Sequence, residues 1–412
     1  MSERVLDVYL QEKLVGQLRQ GQSGALDFTY AEAFLSSSPI GISLSLPLQD
    51  IPHEGNNVKS YFSGLLPDES VRDRLAKYLG LSEQNPFALL EAIGGDCAGA
   101  LALYPQGQKP LESNEDDIEV LDDYKLKEIL ELIKRRPMLA GDEGYRLSLA
   151  GAQNKLAVGF ENNKVILIKG GTPTTHILKP LIDHISDSAH NELFCMRLAK
   201  MMDIDVPFAS LHYVDDTPYY LVKRYDRIIH ENGSVSRIHQ EDFCQALGIA
   251  PEIKYEREGG PNLAQCQELI RENSIRPAVD QIKFLNTVMF NYFIGNNDAH
   301  GKNFSLLYSN IKPELAPAYD LLSTAIYPAL SPKMAMKIGG KYNPRDVYLR
   351  HWYRILPDTK AAQSRFEKQL NTMAQKIQTN ARSLKKQLNE EGLNSSVYDD
   401  ISAMIQDRCN RI

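Results

Sequence analysis

The chain has 412 residues, too many for one ordinary hydrophobic core, and its 43% hydrophobic and 24% charged residues exclude a disordered, collagen-like or disulfide-scaffold protein. A net charge of −7 excludes a general attraction to nucleic acid, so any such contact needs a local basic patch or a partner that brings it. Five scattered cysteines (Cys97, Cys195, Cys244, Cys266, Cys409) lack zinc-site spacing, the N-terminus is charged where a signal peptide is apolar, and no stretch reaches the roughly 20 apolar residues of a membrane span; a cytoplasmic protein with no membrane contact is expected.

Alternating apolar positions (Val5, Leu6, Val8, Leu10, then Ile42, Leu44, Leu46) predict short antiparallel strands up to about residue 50. Between 61 and 90 the spacing turns helical through Leu65, Leu66, Val71, Leu75 and Leu79, and Pro86 suits the start of another helix. Gly94, Gly95 and Gly99 mark a turn before a strand at 100–104. A stretch over 106–123, rich in Pro, Gly, Asn and acidic residues, reads as a domain connection, followed by a helix over 124–136. Strands interrupted by one helix at 187–202 fill 146–226, and the pattern is mostly helical from 240 onward, with an apolar run at 281–295 and terminal helices at 359–391 and 395–410. The expected division is a β-rich N-terminal subdomain at 1–106, a connecting segment at 107–145, a strand-rich lobe at 146–228 and a helical lobe at 229–412. That is an α+β chain.

The most informative stretch is Gly295-Asn-Asn-Asp298-Ala-His300-Gly-Lys302-Asn303-Phe304, between an apolar helix and a strand-like Ser305-Leu-Leu-Tyr308. Asp and Asn five positions apart match the catalytic loop of protein kinases, where Asp accepts the substrate hydroxyl proton and Asn binds Mg²⁺. Asp320, in Ala318-Tyr319-Asp320-Leu321, fits the second metal ligand, with Tyr319 flanking it. Upstream, Lys179 ends the apolar run Ile177-Leu178-Lys179, as does the kinase lysine that holds the α- and β-phosphates, and Glu192 on the following helix could pair with it. The small-residue loop from Leu147 to Lys155 could lay backbone amides over phosphates. Tyr220 to Asp226 occupies the place of a hinge that contacts adenine. Each piece alone has a plainer reading: turn residues, a solvated strand-end lysine, a hairpin. Their order along one chain favours the chemical one.

Ser148-Leu-Ala-Gly-Ala-Gln-Asn-Lys155, Gly171-Thr-Pro-Thr-Thr-His-Ile-Leu-Lys179, Arg224-Tyr-Asp-Arg227, Glu241-Asp-Phe-Cys-Gln245, Lys254-Tyr-Glu256, Gly259-Gly-Pro261 and Asp298-Ala-His-Gly-Lys-Asn303 resemble the HipA family of bacterial toxin kinases. So do Ser43-Leu-Ser-Leu-Pro-Leu48, Leu65-Leu-Pro-Asp68 and Arg72-Asp-Arg74. The resemblance implies a two-lobed, protein-kinase-like fold and a serine/threonine kinase that is the toxin of a toxin-antitoxin module. It implies ATP contacts from Ala150, Gly151, Ala152, Gln153, Asn154, Lys155, Lys179, Lys223, Arg224, Tyr225, His300, Gly301, Lys302, Asn303 and Tyr319, with Asp298 as catalytic base and Asn303 and Asp320 on Mg²⁺. It also implies autophosphorylation at Ser148, an aminoacyl-tRNA synthetase as the substrate class, and a HipB-like helix-turn-helix antitoxin through which operator DNA is reached. Lys223 stands where the family hinge commonly has Glu, so adenine recognition is expected to rest on backbone groups. Two other classes stay open: a catalytically weak corepressor bound to the antitoxin on DNA, and a small-molecule phosphotransferase. The apolar stripe Phe366, Leu370, Met373, Ile377, Ala381, Leu384 and Leu388 is expected to pack within the domain rather than to hold a partner.

Overall fold

The computed structural model describes residues 4–111, 117–141 and 147–412; residues 112–116 and 142–146, most of them in the expected connecting segment, lie outside it. The chain forms two compact units, each discontinuous in sequence: Met1–Pro180 with His212–Ile253 and Ser305–Pro313, and Leu181–Leu211 with Lys254–Phe304 and Glu314–Ile412.

Among the described residues, the two largest sheets lie in the first unit. One is five-stranded and antiparallel, in the order His53–Glu54, Leu26–Tyr30, Lys13–Gln20, Arg4–Leu10, Leu101–Pro105. Leu6, Val8, Leu18, Phe28 and Leu103 of these strands share a core with Phe62 and Leu90 of the helices Asn56–Gly64 and Pro86–Ile93. Pro86 opens the latter helix at a position that needs no N–H, and the Asn85 side chain caps it by accepting from Ala88 N. The strand expected through Ile42, Leu44 and Leu46 is instead a tight turn closed by a Ser43–Leu46 bridge. Side-chain bonding wins over alternation there: Tyr30 Oη donates to Leu46 O and accepts from Ile42 N (2.9 Å), and Tyr61 Oη donates to Ile42 O (3.0 Å).

The second sheet is six-stranded, in the order Ala209–Val214, Thr217–Lys223, His176–Lys179, Leu156–Glu161, Lys164–Ile168, Ile118–Val120. Its last strand comes from the expected connecting segment, with Val120 opposite Ile166. Leu126, Leu130 and Ile133 of the helix Asp123–Arg135 pack with Leu156, Val158, Leu178 and Leu221.

A buried ionic cluster ties distant parts of this unit together. Arg224 pairs with Asp226 (2.8 Å) and Asp96 (3.6 Å), Arg227 with Asp96 (3.0 Å) and Asp226 (2.9 Å), and Arg237 with Asp96 (3.5 Å). Burial alone would raise both carboxyls, but Arg227, Arg237 and Arg224 around Asp96, and Arg224 and Arg227 around Asp226, hold them below the usual carboxylate range.

The second unit is mainly helical: Ser188–Met201, Leu263–Asn273, Pro277–Ile294, Lys360–Glu390 and Val397–Cys409. Pro277 starts the apolar helix and Gly295, at φ +74°, ends it in the left-handed region that favours glycine, turning the chain directly into the loop at 296–303. The stripe Phe366, Leu370, Met373, Ile377, Ala381, Leu384 and Leu388 is buried within this unit, as its spacing predicts. Among the described residues, no helix is long and apolar enough to cross a membrane.

Candidate active site

In the second unit the loop at 295–303 is laced to the segment at 319–325. Tyr319 Oη donates to Lys302 O (2.7 Å), Asn296 Nδ2 to Asp320 O (3.3 Å), Asn297 N to Thr324 Oγ1 (2.8 Å) and Ala325 N to Gly295 O (2.9 Å). These bonds tie the Asp298–Asn303 loop to the segment that carries Asp320. The loop is tight within itself: His300 N donates to Asp298 O (2.8 Å) and Asn303 N to His300 O (2.9 Å), forming the turn Gly301–Asn303. His300, Gly301 and Lys302 are buried, whereas Asp298, Asn303, Tyr319 and Asp320 are half-buried and keep contact with solvent.

Asp298 has a partner that sequence reading did not assign. Tyr255 Oη donates to Asp298 Oδ1 at 2.7 Å, and the Tyr255 ring meets His300 edge-on at 5.2 Å. Asp320 adopts φ +54°, a left-handed conformation that Asp and Asn tolerate better than most residues. The carboxamide of Asn303 and the carboxylate of Asp320 are oxygen donors of the kind a hard divalent cation takes, and both reach solvent, so the donor set fits Mg²⁺.

In the first unit the loop at 148–155 is pinned at several points. Ser148 is fully buried and its hydroxyl donates to Leu65 O (2.7 Å). Asp68 N donates to Gly151 O (3.1 Å), Arg74 Nη2 to Asn154 Oδ1 (2.6 Å), and Gln153 Nε2 to Pro180 O (3.5 Å). Gly151 sits at φ +109°, and Lys155 folds back so that its ammonium donates to Ala150 O (2.6 Å). A Cβ at Gly151 would stand 2.5 Å from that nitrogen. Lys179, buried, lies opposite Tyr220 in register with its ammonium 5.6 Å from the ring centroid. Arg224 is engaged in the buried ionic cluster and also donates to Thr174 Oγ1 (3.0 Å), and its backbone N–H donates to Thr175 O (2.9 Å). Lys223 is exposed, and Tyr225 Oη donates to Gln240 Oε1. Lys179 belongs to the first unit and Glu192 to the second.

The family model described as the HipA-like C-terminal domain matches residues 147–382, and that described as the HipA N-terminal domain matches residues 6–104. The chain belongs to the HipA family. Among HipA relatives, the candidate kinase Y4mE of Sinorhizobium fredii is 46% identical over 356 residues, 85% of each chain. The serine/threonine-protein kinase toxin HipA of Shewanella oneidensis is 30% identical over 357 residues, 83% of this chain and 80% of that one. A chain of the solved Shewanella oneidensis complex of HipA, HipB and its operator DNA superposes with a TM-score of 0.79 at 26% identity, covering 98% of this chain and 97% of that chain. The fold is therefore the expected α+β, HipA-type kinase fold. Tyr255 in the second unit and Arg74 in the first are among the residues whose side chains hold a candidate residue without having been assigned a role from sequence, and Asn191 holds Ser323, three positions beyond Asp320. Tyr255 and Arg74 lie inside quoted motifs and Asn191 adjoins Glu192, so the signal was present but had no spacing rule to give it meaning.

Proposed function

We propose that this chain is an ATP-dependent serine/threonine protein kinase acting as the toxin of a toxin-antitoxin module. What supports the reading above all is the lacing of the 295–303 loop to the 319–325 segment, which holds a catalytic-loop Asp and both candidate metal donors in one assembly within a HipA-family chain. Asp298 accepts the proton of the attacking hydroxyl. In the first unit Ala150 to Lys155, Lys179 and the Lys223–Tyr225 backbone contact ATP, with Lys179 on the phosphates; in the second, His300 to Asn303 and Tyr319 do so. Asn303 and Asp320 would hold Mg²⁺, which would supply positive charge for the phosphate oxygens. The partner is a HipB-like helix-turn-helix antitoxin that carries the operator DNA contact. The substrate is a cytoplasmic protein of the aminoacyl-tRNA synthetase class, and Ser148 is the site of self-phosphorylation.

Controlled expression of the wild type and of Asp298→Asn, followed by phosphoproteomics and a purified kinase assay, tests this. Asp298→Asn is expected to bind ATP almost normally and to lose at least a hundredfold in turnover, the range of a general base. Equal turnover and equal growth inhibition in the two forms would sink the assignment. Growth inhibition lost together with phosphorylation, but operator binding with the antitoxin kept, separates the kinase role from the corepressor role that the solved antitoxin–DNA complex of the relative brings to mind.

A further inference from the structure

We infer that Tyr255 is a positioning residue for the general base: its hydroxyl fixes the rotation of the Asp298 carboxylate. The inference rests on the reading of Asp298 as base and adds a residue and a mechanism to it. An aspartate needs such help, because its terminal torsion joins a tetrahedral to a planar carbon and has broad, shallow wells. Left to itself the carboxylate turns, and a base turned away from the acceptor hydroxyl loses the alignment on which proton transfer depends. The Tyr255 hydroxyl donates to Oδ1 at 2.7 Å, which selects one rotation.

The contact is built and not incidental, since both residues are referenced to the same short piece of backbone. On one side, Glu256 N donates to Ala335 O (3.2 Å), and Lys337 N donates back to Glu256 Oε2 (2.6 Å) while the Lys337 ammonium lies 3.4 Å from the same carboxylate. On the other, Ala335 N donates to Asn297 O (2.8 Å), one residue before Asp298. Residues 335–337 therefore set the spacing of Tyr255 and Asp298 together. The Tyr255 carbonyl is gripped in turn by the amides of Glu258 and Gly260 (2.9 Å each), so the ring cannot drift on a loose turn.

Charge around the phenol strengthens its donation. The Arg257 guanidinium lies 4.9 Å from the ring centroid and the Lys254 ammonium 5.6 Å. Cations at a phenol ring favour the electron-rich oxygen that remains as the O–H is polarised, which makes the hydrogen a better donor. A stronger donor on Oδ1 holds the carboxylate the more firmly in that one rotation.

The test uses the full chain and measures turnover against pH for the wild type, Tyr255→Phe, Asp298→Asn and a chain carrying 3-fluorotyrosine at position 255. Tyr255→Phe removes one oxygen; it is expected to lower kcat by roughly tenfold to a hundredfold with KM for ATP unchanged, the scale of a misaligned reacting group. The fluorotyrosine form keeps the hydroxyl and is expected to turn over close to the wild-type rate near neutral pH, then to fall towards the Tyr255→Phe rate at a lower alkaline pH than the wild type does, because its phenol ionises more readily and a phenolate cannot donate. Melting curves confirm that the forms are folded. If Tyr255→Phe fails to fold, the fluorotyrosine form decides alone through that alkaline loss. Wild-type kcat in folded Tyr255→Phe and an alkaline limb unmoved in the fluorotyrosine form, with Asp298→Asn inactive, would overturn this inference and leave the kinase reading intact. Full turnover by Asp298→Asn would instead overturn the base assignment, and this inference with it.

Discussion

Asn191 holds Ser323 at both of its backbone groups: Nδ2 donates to Ser323 O at 2.9 Å and Oδ1 accepts from Ser323 N at 2.8 Å. Asn191 is fully buried, so the two bonds are shielded from water, and Ser323 is three residues beyond Asp320. The neighbour of the helix glutamate is thus a clamp on the chain that carries a candidate metal ligand. Asn191→Ala strands a buried N–H and a buried C=O. A loss of about 2–4 kcal/mol is expected in urea unfolding. Asn191→Asp should also destabilise, because a carboxylate cannot donate to the Ser323 carbonyl. An Asn191→Ala stability within about 0.5 kcal/mol of wild type, the range of an ordinary surface change, would show that the clamp is idle.

Asp320 combines two demands, a carboxylate and a left-handed backbone at φ +54°. Ala would remove the charge and also strain the backbone by about 1–2 kcal/mol, whereas Asn keeps the tolerance for φ > 0 and removes the charge alone. Asp320→Asn should therefore melt close to wild type yet lose Mg²⁺-dependent ATP affinity, while Asp320→Ala should lose both. Calorimetric ATP titrations with Mg²⁺ and with EDTA read this out. A wild type whose affinity is the same in both conditions would contradict the metal role.

Glu241 is buried and accepts from Ser43 Oγ (2.5 Å), Leu44 N (3.0 Å) and Tyr308 Oη. Burial outweighs these three donors and pushes its carboxyl up to about 7. The folded chain thus keeps a proton that the unfolded chain gives up near the ordinary value of 4.5. Stability from this group is present below that value, falls as pH rises, and is gone above about 7, a change of about 3 kcal/mol. Wild type minus Glu241→Gln isolates it from the other titrating groups. That difference should shrink between pH 5 and pH 8; a difference independent of pH would refute the protonated form.

Ser148 offers no room for a phosphate where it stands, with its side chain fully buried against Leu65 O. Phosphorylation adds roughly −1.5 to −2 charges, so the modified residue must leave that site and take the loop at 148–155 with it. Separated phospho and unmodified forms, identified by intact mass, should differ in ATP affinity. Ser148→Ala, which deletes a single hydrogen bond, should bind ATP nearly as the unmodified form does. Equal affinities in all three would dismiss the switch.

What the sequence makes legible follows from what is local. The Asp298-x₄-Asn303 pair, the helix opened by Pro277 and closed by Gly295, and the stripe of the 360–390 helix are all set by spacing or by residues adjacent in the chain. The partners that hold the candidate residues within each unit are not local: Tyr255 is 43 positions from Asp298, Arg74 80 from Asn154, and Asn191 132 from Ser323. No periodicity reports such pairs. The expected strand through Ile42, Leu44 and Leu46 failed for the same reason, since the Ser43 side chain is bound to Glu241, 198 positions away. Apolar alternation cannot foresee a hydroxyl pulled into a turn by a distant carboxylate.

The ionic cluster around Asp96 decides where this polypeptide tolerates being cut. A fragment beginning at residue 107 would retain Arg224, Arg227 and Arg237 but surrender one of the two carboxylates that face them. Three guanidinia sharing a single counter-ion in a dry interior would be penalised by about 3–5 kcal/mol for the missing partner alone, enough to unfold a marginal domain. The first hundred residues are in this respect no detachable accessory. A gene split at that point could work only if its two products found each other again and rebuilt the cluster between them.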